Sequence, residues 1–207
     1  MANASATTCS GTALGRRAVH TLELVPRKPR YLLPDGFHHV TARGNRSAPI
    51  FSDASDRSEF LALLEECLGR STSRCHAYCL MTTHYHLLLE GTVASLSLAL
   101  HRLNGLYAQR FNRRHALKGH LFEDRFYATA IESDGHLLEV CRYLALNPVR
   151  AGLCATPAAW RWSSYAATVG LRAHDTFLDR SLLGLFSDDP RRARARFASF
   201  VTDGLAA

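Results

Sequence analysis

Long hydrophobic runs are missing from this 207-residue sequence: nowhere is it apolar over the roughly 20 residues that a membrane-spanning helix needs. Its start, MANASATTCSGTALGRR, also lacks the apolar segment of a secretory signal. Both absences argue against a membrane or exported protein and lead us to expect a cytoplasmic one. The six cysteines, Cys9, Cys67, Cys75, Cys79, Cys141 and Cys154, lack the close framing of a small disulfide-stapled domain. We read them as reduced and mostly buried thiols. No internal repeat is visible, and nothing marks a second large domain. Acidic residues fall short of basic ones, 18 against 25, which gives a net charge of +7. What remains is 47% hydrophobic, enough for a real core, under a surface that attracts polyanions.

The basic residues gather at residues 27–30 (RKPR), 110–118 (RFNRRHALK) and 191–196 (RRARAR). A solvated face accounts for the last run. The first 30 residues are rich in Ala, Ser and Thr and show little periodicity, as a flexible basic arm would. After them, GFHHVTARGN reads as a strand ending in a Gly-Asn turn, and DRSEFLALLEECLGR as a helix with an acidic first turn. CHAYCLMTTH and HYHLLLEG read as neighbouring strands, and residues 95–115 as a long helix with leucines at helical spacing. HLFEDRFYATAIE reads as a fourth strand. DGHLLEVCRYLALNPVRAGL reads as a helix that should stop near its Asn-Pro pair, because the residue before proline is pushed out of the α region. The order strand, helix, strand, strand, helix, strand predicts an α+β fold: a ferredoxin-like split β-α-β sandwich, an antiparallel sheet with helices on one face, plus a C-terminal helical appendage.

Chemistry concentrates in LMTTHYHLLLE, residues 80–90. Residues i and i+2 of a strand share a face, so His84 and His86 point the same way and could grip one metal ion. Cys75, His76 and Cys79 invite a zinc reading, but strand alternation sends His76 to the face opposite the two cysteines, and no second cysteine pair completes a tetrahedral set. On the long helix, Leu96, Leu100, Leu103 and Tyr107 form an apolar stripe, and the helix turns basic just beyond, with Arg110, Arg113 and Arg114. Tyr107 is either a core aromatic or, if that helix covers the histidine face, a hydroxyl beside metal and phosphate. A divalent ion would relieve the charge that shields a phosphodiester, and an activated tyrosine could then attack it.

HYHLLLE, YAQRFNRRH, GHLFEDRF and LALNPVRAGL, with HHVTARGNR before them and WRWSSY after, together resemble the REP-associated tyrosine transposases, a branch of the single-tyrosine HUH superfamily. The resemblance runs from Tyr31 to Tyr165. It implies a transposase domain over residues 31–155 between a flexible segment 1–30 and an appendage 156–207. It implies His84 and His86 as ligands of a divalent metal ion, Mg or Mn, and Tyr107 as the nucleophile, joined to a 5′ phosphate while a 3′ hydroxyl is freed. The implied substrate is single-stranded DNA with hairpins from repetitive extragenic palindromes, and the implied protein is a bacterial monomer, associated with the nucleoid when DNA-bound. Contact candidates are Arg43, Asn45, Arg110, Arg113, Arg114 and Arg125. A surface salt bridge would explain Arg43 and Arg125 equally well.

Thr82 and Thr83 stand where the family often has Pro-Asn. The third metal ligand stays open between Asn112, on the tyrosine helix, and Glu90, on the histidine face of the strand. Two other functions compete with strand transfer: a hairpin-binding regulator that does not cut, and a hydrolase of small phosphoesters in which Tyr107 is structural.

Overall fold

The structure is a computed structural model and describes residues 33–205. The segment 1–30 lies outside the described residues. Strand β1 (Gly36–Arg43) leads through a 3₁₀ turn at Asn45–Ser47 to helix α1 (Ala54–Gly69). Strands β2 (Arg74–Leu80) and β3 (His84–Gly91) follow, then helix α2 (Val93–Arg114), strand β4 (Tyr127–Ala130) and helix α3 (Asp134–Arg150). The order across the sheet is β2-β3-β1-β4, and β1 with β3, β1 with β4 and β2 with β3 all pair antiparallel. This is the expected ferredoxin-like α+β sandwich.

Local chemistry starts each helix. Asp53 caps α1 by accepting from the Asp56 amide, and the Asp56 carboxylate reaches back to the Asp53 amide. Thr92 caps α2 through the Ser95 amide, and Ser133 caps α3 through that of His136. Alternation along β3 then divides the protein. Tyr85, Leu87 and Leu89 lie in a core with Phe60, Leu63 and Leu64 of α1 and Leu96, Leu100, Leu103 and Tyr107 of α2. Leu88, on the other face, packs with Leu137, Val140, Cys141 and Leu144 of α3.

The second face was not assigned a cover from the sequence; α3 supplies it. Short helix α4 (Tyr165–Thr168) and helix α5 (Pro190–Asp203) complete this side, with Tyr165, Phe197 and Val201 in the same core as Leu88. The C-terminal segment is stitched to the free edge of β2: Leu80 donates to the Trp162 carbonyl, Ser164 to that of Tyr78, and Asp179 to that of Cys75. Arg172 and Tyr78 both bond the Asp175 carboxylate, at 2.8 Å each.

Three sequence expectations need correction. The helix expected to end at the Asn-Pro pair continues through Pro148 to Arg150. Proline lacks the N–H that would bond the Leu144 carbonyl, so one backbone hydrogen bond is forgone, while the burial of Leu144, Ala145 and Leu146 in the core holds the helix through it. The fourth strand is shorter than HLFEDRFYATAIE, because its front half pairs with the turn after β1: Asn45 donates to the Leu121 carbonyl and Glu123 to that of Arg43. Finally, β2 carries a bulge between Cys75 and Ala77, so Cys75 joins the α1/α2 core while Cys79 joins the α3 core. The two thiols therefore do not share a face, and the cysteines among the described residues are free. None of the described helices is long and apolar enough to cross a membrane.

Candidate metal and nucleotide site

His84 and His86 do share a face, with ring centroids 4.9 Å apart and planes at 89°. Each has its Nδ1 engaged. His84 Nδ1 lies 3.0 Å from the Thr83 hydroxyl, and His86 Nδ1 lies 3.0 Å from Nε2 of His39 on β1. Burial lowers the pKa of His84, with Arg43 adding to the effect. Burial, then His39, His84 and Arg43, lower His86 to about 3. Burial, then His136, lowers His39 to about 4. All three imidazoles are neutral near pH 7, the state in which a histidine can ligate a metal.

Tyr107 is not in this site. Helix α2 covers the opposite face of the sheet, where Tyr107 is 1% exposed and packs against Phe51 and Phe60. Its hydroxyl donates to the Ile50 carbonyl at 2.5 Å, and burial, then Asp56, push its pKa above the ordinary phenol value. The expectation that tyrosine and histidines meet through α2 fails because that helix packs on Tyr85, Leu87 and Leu89 instead.

A different tyrosine faces the histidines. Tyr143 on α3 is 39% exposed, and its ring lies 5.3 Å from that of His86 and 5.8 Å from that of His39. One helical turn on, Asn147 brings Nδ2 to 3.2 Å from His86 Nε2. Residues i and i+4 share a helix face. Continuation of α3 past the Asn-Pro pair keeps Asn147 on the Tyr143 side. Sequence reading missed Tyr143, Asn147 and His39, although the spacing YLALN within a helical pattern carried the first two.

Neither proposed third ligand reaches the site. Glu90 shares the histidine face but stands four residues along the strand, roughly 13 Å away. It bonds His76 at 2.8 Å and Arg74 at 3.2 Å. Asn112 donates to the Gly119 carbonyl near the end of α2. Among the described residues, no group of three or more His, Cys, Asp or Glu could hold a metal ion. Asn147, the polar side chain in contact with His86 Nε2, could offer a neutral oxygen beside the two imidazoles if its amide turned to present Oδ1. Two neutral imidazoles and an amide oxygen suit Mn and tolerate Mg, with further positions left for phosphate and water oxygens.

The basic candidates divide. Arg43 pairs in register with His84 at the open end of the sheet. Exposed Asn45 follows in the next turn, and the segment carrying exposed Arg125 runs beside that turn. On the far side, Arg110 pairs with Glu59, and Arg114 with Asp53 and Asp56, so these two tie α2 to α1. Arg113 is exposed on the same distant helix.

The model of the family described as Transposase IS200 like matches residues 36–147, more than half of the chain and the full span from β1 through Asn147. The chain belongs to this transposase family. Its fold is similar to that of a solved REP-associated tyrosine transposase bound to a REP hairpin, with a TM-score of 0.57 at 20% identity over 75% of this chain and 93% of that one. A putative transposase from Deinococcus radiodurans R1 matches at a TM-score of 0.39 and 16% identity, over 57% of this chain and 95% of that one. No curated protein matches the chain. The family span of this transposase ends inside α3, at Asn147, and so takes in Tyr143 as well.

Proposed function

We propose that this transposase cleaves and rejoins single-stranded DNA through Tyr143, with His84, His86 and Asn147 holding a divalent ion, Mg or Mn. The observation that carries the reading is the pairing of a half-exposed tyrosine with His86 on one face of the sheet. When bound, the ion would polarise the phosphodiester and offset its charge. The chain's own residues do the rest. Attack by the Tyr143 oxygen forms a tyrosine–phosphorus ester and breaks the bond from phosphorus to the 3′ oxygen. The phenol gives up its proton, and the departing oxygen takes one up as a 3′ hydroxyl. The ester keeps the bond energy for rejoining, which suits strand transfer better than hydrolysis.

Arg43, Asn45 and Arg125 are proposed as contacts to the DNA, since they sit around the open end of the histidine face. Arg110, Arg113 and Arg114 lie on the far helix, and the two that are ion-paired are better read as structural. The REP-hairpin complex of the structural neighbour favours palindromic repeat hairpins as substrate. The protein is proposed to work as a monomer with residues 36–205 acting together.

The test is incubation of the protein with an end-labelled single-stranded hairpin and Mn or Mg, read on a denaturing gel. We expect label on the protein, lost with a chelator and with His86→Ala. Hairpin binding on a native gel without any covalent band would replace the enzyme by a regulator that does not cut.

A further inference from the structure

His39 has no role in the site as assigned so far, yet it contacts two of its members. It belongs to β1, where Thr41 pairs with His86 and His39 with Leu88, so His39 and His86 are diagonal neighbours across the ladder. Diagonal residues lie ~7–8 Å apart, a gap that two imidazoles can close. They close it with a 3.0 Å contact from His39 Nε2 to His86 Nδ1, the rings stacked at 26°. The adjacent His38 does nothing similar. It points to the other face, where its Nδ1 lies 3.0 Å from the Gly36 carbonyl.

We propose that His39 is a positioning residue for metal binding, its Nε2 accepting the Nδ1 proton of His86 and so fixing the tautomer whose Nε2 lone pair faces Asn147. The proton bookkeeping supports one direction. The hydrogen bond between the two ring nitrogens holds a single proton, carried by one ring and accepted by the lone pair of the other. Asn147 Nδ2 can only donate, so its contact with His86 Nε2 requires a lone pair there. The proton of His86 then sits on Nδ1 and is given to His39, whose own proton rests on its Nδ1. A metal ion at His86 Nε2 needs the same tautomer. A histidine ligand is commonly oriented by a second hydrogen bond from its far nitrogen, usually to a carboxylate or carbonyl. His39 fills that place with a neutral imidazole, as the Thr83 hydroxyl does for His84. The lone pair that His39 spends on His86 leaves it unsuited to be a ligand itself.

This inference rests on the metal-site reading above, and the experiment separates the two. Mn binding to the full chain without DNA is measured by isothermal titration calorimetry for wild type, His86→Ala, His39→Phe, His39→Asn and His39→Gln. A glutamine can place an acceptor where His39 Nε2 stands, whereas an asparagine reaches only the Nδ1 position. His39→Phe and His39→Asn should weaken Mn by about 10–100-fold, while His39→Gln stays within a few-fold of wild type. If His86→Ala loses Mn but the His39 variants all bind as wild type does, the positioning role is overturned and the metal site stands. A glutamine no better than asparagine overturns it as well. If His86→Ala binds as tightly as wild type, the metal reading falls and takes the role of His39 with it.

Discussion

Tyr107 and Tyr143 have the same phenol and opposite circumstances. Tyr107 is enclosed, with its hydroxyl committed to the Ile50 carbonyl, and neither a phosphate nor an ion can reach it without opening the core. Tyr107→Phe should therefore leave DNA cleavage intact and lower stability by about 1 kcal/mol, the net worth of a lost buried hydrogen bond, as read from urea unfolding. The histidine pair was legible in the sequence because period-2 alternation settles which strand residues share a face. Tyr143 was not singled out because helical periodicity says that a residue is buried or exposed, but not against which face of a sheet. That information was available from β3 itself. Its odd positions, Tyr85, Leu87 and Leu89, are continuously apolar, and α1 and α2 needed such a surface. The even positions carry His84, His86 and Glu90.

At the level of elements, topology fixes which face of the sheet each helix covers. Both crossovers, β1-α1-β2 and β3-α2-β4, connect parallel strands, and right-handed crossovers put their helices on one side. Only a later element could cover the histidines, and α3 is that element. The junction between α1 and α2 is held by charge. Burial raises the pKa of Asp56, but hydrogen bonds from His115, the Ser52 amide and Arg114 more than offset it, and the carboxyl ends below its ordinary value. A depressed carboxyl contributes stability above its unfolded pKa and loses it as pH falls. Asp56→Asn should thus be clearly less stable than wild type at pH 7, with the two denaturation curves converging in acid. The turn after β1 has its own requirement. A Cβ on Gly44 would lie 2.1 Å from the Ala48 carbonyl oxygen, and Arg46 and Ser47 already adopt left-handed backbone with φ of 55° and 58°. Gly44→Ala should cost about 1–3 kcal/mol and move Arg43 and Asn45, so that hairpin affinity falls with it. The bulge at His76 and the proline inside α3 escaped the sequence reading for a shared reason: each is a local exception that surrounding packing tolerates, and pattern rules describe only the unperturbed element.

Across the whole molecule, the C-terminal segment is part of the structure that presents the site. Its residues line the edge of β2 and back α3 through Phe197 and Val201, so α3 is clasped between sheet and α5. Removing α5 by truncation after Asp189 should loosen α3 and reduce cleavage more than hairpin binding, because Arg43, Asn45 and Arg125 stand on the other side of the site; a gel assay of both activities separates the two. The central claim concerns which tyrosine carries the DNA. The most direct measurement is mass spectrometry of the protein after reaction with a single-stranded hairpin and nuclease trimming, which locates the nucleotide adduct on a peptide. The account predicts a phosphoester on Tyr143, absent in Tyr143→Phe and retained in Tyr107→Phe. An adduct on Tyr107, or an undiminished one in Tyr143→Phe, would contradict it.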